Sequence, residues 1–152
     1  MRLNITEGIG MYKVNIYTYV EPASTRKTKK KYAYLLSCVG KEETELIGIG
    51  ELEGTYHETS LRAVNEAMGR LNQSCEVRLH CEDTFILNMF AHNITRWAAA
   101  GYKNAKGEPI ANAEAWMELW RVTRAQKMIL CKGDHEKKDQ LRKEVRKCRS
   151  QG

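Results

Sequence analysis

The feature that most constrains this chain is a change in the spacing of its apolar residues. From Lys13 to Val20 the chain alternates: Val14, Ile16, Thr18 and Val20 fall on one face, Asn15, Tyr17 and Tyr19 on the other. A period of two residues is that of a β-strand. Tyr32–Val39 and Thr44–Leu52 read as two more strands, joined by a tight turn at Gly40-Lys41. Three consecutive strands with short connections make an antiparallel meander. After Thr55 the period lengthens. Leu61, Val64, Ala67, Met68 and Leu71 share one helical stripe, which predicts a helix over residues 58–72 with Thr55 or Thr59 as its cap.

The two periods then alternate. Glu76–Cys81 reads as a strand, and Asp83 caps a helix carrying Phe85, Ile86, Met89 and Phe90. A loop with Gly101, Gly107 and Pro109 leads to a helix over Ala113–Ala125, with Trp116, Leu119 and Trp120 inward. Lys127–Cys131 is a fifth strand, and the charged segment from His135 to Lys147 closes as a helix. The order is β-β-β-α-β-α-α-β-α. Right-handed crossovers place strands 4 and 5 parallel to strand 1. The expected fold is therefore α/β, a mixed five-stranded sheet with helices on both faces. No internal repeat or linker interrupts it. Residues 12–149 form the expected single domain, with 1–11 as an N-terminal extension and 150–152 as a tail.

Composition narrows the classes further. A chain of 152 residues supplies one domain with one core. Its 42% apolar and 29% charged residues exclude a collagenous, low-complexity or disulfide-dense chain. No apolar run approaches the ~18 residues that span a bilayer, so no membrane association is expected. Met-Arg-Leu-Asn-Ile-Thr-Glu-Gly lacks an apolar signal core, and the expectation is a cytoplasmic protein. Five cysteines include no Cys-x-x-Cys pair, so a zinc ribbon and a dithiol redox motif are excluded. Cys38, Cys81 and Cys131 fall on strands and are expected as small buried thiols. A net charge of +6 and a pI of 9.1 point to an acidic partner, nucleic acid first.

The stretch Trp97-Ala98-Ala99-Ala100-Gly101-Tyr102 runs on to Gly107-Glu108-Pro109-Ile110-Ala111-Asn112 and ends at Trp116. It resembles the type 1 ribonuclease H pattern Trp-x-x-x-Gly-aromatic, Gly-x-Pro-aliphatic-x-Asn, then Trp. The resemblance covers residues 12–147 and includes the element order. It implies a ribonuclease H-like fold and phosphodiester hydrolysis by two Mg²⁺ ions, or Mn²⁺, about 3.5–4 Å apart. Hard cations need oxygen ligands. The family places its acids on strand 1, on the first helix, at the end of strand 4 and on the last helix.

Those four positions are only partly filled here. The strand 1 acid should follow Ile16-Tyr17-Thr18, where this chain has Tyr19. The first-helix acid should precede Leu61-Arg62-Ala63, where it has Ser60. Glu82 matches the strand 4 acid with one extra methylene, and Asp83 beside it serves as a helix cap. Asp139-Gln140-Leu141 is similar to the family's Asp-x-Leu on the last helix. Lys132-Gly133-Asp134-His135 is similar to its Lys-Gly-His signature, with His135 displaced by one residue in an exposed charged turn. The metal set implied by the resemblance is thus Glu82 and Asp139. Glu21, two residues beyond Tyr19 on the same strand face, and Glu53 are the acids that could rebuild the site; Glu58 faces elsewhere on its helix.

Two carboxylates do not readily neutralise two divalent ions. The expectation is a catalytically impaired ribonuclease H-like protein that binds RNA–DNA hybrid, duplex RNA or another nucleic acid. The cations Arg26, Lys27, Lys29, Lys30 and Lys31 stand in a basic loop, with Lys132 nearer the other end. Residues 131–152 add a net +4, with Lys132, Lys137, Lys138, Arg142, Lys143, Arg146, Lys147 and Arg149 against Asp134, Glu136, Asp139 and Glu144. Such cations give salt-dependent phosphate affinity. Tyr17, Tyr19, His80 and Asn15 share the face that would hold the metals, and either contact the ligand or plug the vacated pocket. Two alternatives stay open at this point: a metal-dependent ribonuclease H with a rearranged carboxylate site, and a protein-interaction scaffold.

Overall fold

The computed structural model describes residues 12–39 and 44–147. The Gly40-Lys41 turn, the N-terminal extension, Cys148, Arg149 and the tail lie outside the described residues. The elements are β1 (Tyr12–Glu21), β2 (Thr28–Val39), β3 (Thr44–Gly54), α1 (Tyr56–Met68), β4 (Cys75–Cys81), α2 (Thr84–Ala99), α3 (Ala113–Thr123), β5 (Lys127–Lys132) and α4 (Lys138–Lys147). The sheet order is β3-β2-β1-β4-β5. β1 pairs antiparallel with β2, and β2 with β3; β4 runs parallel to β1, and β5 parallel to β4. This is the architecture expected from the order of periods.

The alternation of β1 sorts its side chains into two cores. Val14 and Ile16 pack with α1, α2 and α3 residues such as Leu61, Val64, Leu87 and Trp116. Tyr17 and Tyr19 pack on the opposite face with Ala33, Leu35, Leu141 and Val145, under α4. Three helices therefore cover one face and one helix covers the other.

Local chemistry fixes the helix starts that matter for the site. Thr55 caps α1: its Oγ1 accepts from Glu58 N–H at 3.1 Å, and Glu58 Oε1 accepts from Thr55 N–H at 3.2 Å. That reciprocal pair satisfies two otherwise unpaired donors. It also turns Glu58 into a structural residue. Asp83 caps α2, its Oδ1 accepting from Ile86 N–H at 3.3 Å. On β3, Gly48 and Gly50 lie under the rings of Tyr34 and Tyr32. A Cβ at either glycine would come within 2.4 Å of ring atoms.

The basic loop is shorter than its sequence suggests. Lys29, Lys30 and Lys31 begin β2 rather than end a loop. α4 likewise starts at Lys138, later than His135. Cys81 is buried as expected, but Cys38 and Cys131 are only partly buried, whereas Cys75 is fully buried. These four thiols form no disulfide.

Candidate functional site

The carboxyl ends of the parallel strands β1 and β4, the β1–β2 connection and the start of α1 meet at one end of the sheet. Open α/β sheets bind their ligands at such an end. Tyr19, Ser60 and Glu82 all lie there, and α4 crosses the face beneath.

Tyr19 is buried, and its Oη donates to Glu21 Oε1 at 2.7 Å. Burial, then the bond to Glu21, raises its pKa, against the opposing pull of Arg142. The Arg142 guanidinium lies 6.0 Å from the centre of the Tyr19 ring. Ser60 is buried on α1. Glu82 receives Lys138 Nζ at 3.0 Å. That hydrogen bond, and then the attraction of the carboxylate, raises the Lys138 pKa. Asp139 points outward with 83% of its side chain exposed, and accepts from Arg142 Nη1 at 3.1 Å. Glu21 is also held by Arg146 Nε at 3.4 Å.

A pattern emerges that the sequence reading did not use. Lys138, Arg142 and Arg146 are spaced i, i+4, i+8 and so share one face of α4. Together they reach Glu82, Asp139, the Tyr19 ring and Glu21. The acids that remain near the expected metal positions are thus paired with the protein's own cations.

The fit to two divalent cations is poor. Tyr19 and Ser60 contribute a phenol and a hydroxyl, and both are buried. Among the described residues no group of three His, Cys, Asp or Glu side chains converges as a metal site. Glu82 and Asp139 are each engaged by a cation of α4, Lys138 and Arg142. Glu21 is turned back to Tyr19, and Glu53 is exposed on the outermost strand.

His135 is not in an exposed turn. Its Nδ1 accepts from Lys137 N–H at 3.2 Å, which leaves the hydrogen on Nε2 to donate to the Thr18 carbonyl at 2.8 Å. Its ring tilts against Tyr17 with centroids 5.2 Å apart. Tyr17 stacks on His80 at 4.3 Å and donates to Glu136 Oε1 at 2.9 Å. Burial and then Glu136 push the Tyr17 pKa up to about 12. His80 bonds Asn15 at 3.2 Å, and burial, then nearby His135, lowers its pKa. The face carrying Tyr17, Tyr19, His80 and Asn15 is packed rather than open.

The basic residues divide by burial. Arg26, Lys27 and Lys29 are exposed beside the carboxyl end of β1. Lys30 is not available to a ligand. It is fully buried, and its Nζ donates to the Arg26 carbonyl at 2.9 Å and to Thr28 Oγ1 at 2.7 Å. Its place on an inward position of β2 explains the departure from expectation. Lys31 pairs with Glu51 at 3.6 Å, and Lys132 donates to Asn88 Oδ1. Of the tail cations, Lys137 and Lys147 are also paired internally, with Glu45 and Glu144.

One further constellation was missed. His57 Nδ1 lies 2.7 Å from Asp83 Oδ2, and its ring stacks on Phe85 at 4.4 Å. The sequence carried half of the signal, an Asp at a helix cap. A partner 26 residues away was not legible.

The five-stranded order with α4 alone on one face defines a ribonuclease H-like fold. Solved structures agree in fold. LC9-RNase H1, described as a type 1 RNase H with the type 2 active-site motif, superposes with a TM-score of 0.72 at 15% identity, over 95% of this chain and 75% of that one. The N-terminal RNase H domain of a Mycobacterium tuberculosis protein gives 0.63 at 10% identity, over 92% and 97%. A foamy viral protease-reverse transcriptase, solved with an RNA/DNA hybrid, gives 0.61 at 13%, over 88% of this chain and 20% of that one.

Sequence relatives carry the same name. A ribonuclease HI of Xylella fastidiosa is 30% identical over 89 residues, 59% of each chain. A ribonuclease H of Janthinobacterium sp. is 34% identical over 84 residues, 55% of this chain and 58% of its own. The matched stretch thus spans just over half the length of these curated relatives. No family model matches the chain. With the fold, these relatives make the chain similar to the ribonucleases H, over just over half of its length in sequence and over most of it in fold.

Proposed function

We propose that this protein binds RNA–DNA hybrid or duplex RNA and has lost efficient two-metal hydrolysis. The observation that carries the reading is the stripe Lys138, Arg142 and Arg146, whose cations already engage Glu82, Asp139 and Glu21. A divalent ion would have to displace ammonium and guanidinium groups from the remaining carboxylates, and then find a phenol and a hydroxyl where it needs two more. Mg²⁺ or Mn²⁺ binding is accordingly weak. Exposed Arg26, Lys27 and Lys29 beside the same end of the sheet supply the phosphate contacts. Recognition of hybrid or duplex RNA follows from shape and 2′-hydroxyls in a shallow groove. A cytoplasmic location belongs to the same proposal. Among the described residues, no helix is long and apolar enough to cross a membrane.

The test is incubation with a labelled RNA–DNA hybrid in Mg²⁺ and separately in Mn²⁺, beside an Asp139→Asn control and a salt series of gel shifts. The expected result is a shift without cleavage, weakening as salt rises. Three phosphate contacts correspond to a log–log slope of about −2 to −3. Metal-dependent cleavage that Asp139→Asn abolishes would overturn the impaired reading. Neither cleavage nor a shift would leave a protein-interaction scaffold.

A further inference from the structure

A cavity of about 150 Å³ opens beside the His57–Asp83 pair, between the start of α1 and helices α2 and α3. It is lined by His57, Phe85, Met89, Trp97, Asn112 and Trp116, among others. An apolar cavity of about this volume holds one six-membered ring. Its walls are suited to a flat one. Phe85 is 48% exposed and stacks with His57, and Trp97 and Trp116 lie tilted together with centroids 5.1 Å apart.

Two polar groups at the cavity have unused hydrogen-bonding capacity. The Asp83 side chain is only 2% exposed, and its carboxylate can only accept, so Nδ1 of His57 carries the hydrogen. With Nδ1 as the donor, Nε2 is the acceptor in the ring's neutral form, and no bond from it is seen among the described residues. Asn112 sits at the start of α3 with φ of 59°, and its side chain makes no capping bond. Its amide can donate as well as accept. An acceptor and an amide at the edge of a one-ring aromatic cavity match a particular ligand chemistry, an imide N–H flanked by carbonyls.

We infer that this cavity receives a single unpaired uracil or thymine base. The ring stacks among Phe85 and the tryptophans, N3–H donates to His57 Nε2, and an adjacent carbonyl accepts from Asn112. Cytosine has no N3–H to donate, and a purine is a ring too large. Base stacking on aromatic side chains is otherwise indifferent to sequence, so the preference rests on the two polar groups. The inference deepens the nucleic-acid reading and rests on it.

The test is a titration of the whole protein with eight-nucleotide homopolymers of U, dT, C and A at one salt concentration, followed by tryptophan fluorescence and by the indole N–H signals. The expected result is binding of U and dT about tenfold tighter than of C and A, the scale of one hydrogen bond made or left unmade. Movement of the Trp97 and Trp116 signals should accompany it. His57→Ala and Asn112→Asp should each remove the preference while the RNA–DNA hybrid still shifts. Asn112→Asp guards against a folding failure, because aspartate tolerates the same left-handed backbone. Equal affinity for all four homopolymers, or unmoved indole signals, would overturn the pocket and leave hybrid binding standing. A protein that binds neither hybrid nor homopolymer would overturn both readings. U and dT bound alike assign the site to the shared imide; a difference between them assigns it to RNA or DNA.

Discussion

Replacing Tyr19 by aspartate puts back the acid that the family places on β1, and its effect follows from packing. Tyr19 is 7% exposed and contributes its ring to the core of Ala33, Leu35, Leu141 and Val145. Removing a buried aromatic side chain costs about 3–5 kcal/mol, transfer and cavity together. The new carboxylate gains Arg142 but faces Glu21, whose bond from Tyr19 Oη is lost. A partly exposed ion pair returns only about 0–1 kcal/mol. The net loss for Tyr19→Asp is therefore about 3–4 kcal/mol without divalent ions. At about 2–4 °C per kcal/mol for a domain of this size, Tm falls by about 6–16 °C. The assay is chemical and thermal denaturation of wild type, Tyr19→Asp and Tyr19→Asp/Ser60→Glu, each with and without millimolar Mg²⁺. Mg²⁺ should leave the wild type unchanged and stabilise the double variant. A ligand at 100 times its Kd contributes about 2.7 kcal/mol. A loss below about 1 kcal/mol in Tyr19→Asp would refute the energetic role given to the packing of Tyr19 in this core. Equal Mg²⁺ stabilisation of wild type would refute the argument that its own residues do not fit the metals.

Four other outcomes are expected. Lys30→Ala should cost about 2–3 kcal/mol in denaturant unfolding, from the lost buried stem and the unsatisfied Arg26 carbonyl, with little change in hybrid affinity. Lys29→Ala should do the reverse, leaving stability unchanged and flattening the salt dependence of the gel shift by about one unit. Gly50→Val should cost about 1–3 kcal/mol by overpacking, because Tyr32 is held by its 2.6 Å bond to Glu66 and its ring cannot easily yield. His80 has a lowered pKa in the fold, so the unfolded chain takes up its proton first as pH falls. Stability should therefore be full above the ordinary histidine pKa of about 6.5 and decline below it, at no more than about 1.4 kcal/mol per pH unit from this group. A His80→Gln variant whose unfolding curves fall just as steeply over that range would show that other groups are responsible.

The sequence by itself determined the element order, because the switch between periods of two and 3.6 is local and survives without tertiary information. It also narrowed the cap of the first helix to Thr55 or Thr59 and placed Asp83 as the cap of the next, since a cap is a choice made within a few residues; the structure settles on Thr55. The two faces of β1 followed from simple alternation. The absence of acids at Tyr19 and Ser60 was equally legible, because a residue type at a matched position needs no coordinates.

Tertiary structure decided what those residues do. Lys30 and Lys29 are neighbours in a run of cations, yet the register of β2 sends one into the protein and leaves the other in solvent. His135 looked solvated within its charged turn, but the return of the chain beside β1 offers it the Thr18 carbonyl. Glu82 and Asp139 looked like remnants of one metal site. The helix that carries Asp139 also carries Lys138, Arg142 and Arg146, and its docking across the sheet gives these cations to the acids. His57 and Asp83 belong to different elements and meet only because α1 and α2 begin at the same end of the sheet. Backbone periodicity is written in neighbouring residues, whereas charge pairing is set by packing between distant ones. The fold could therefore be read along the chain, and the state of the site could not.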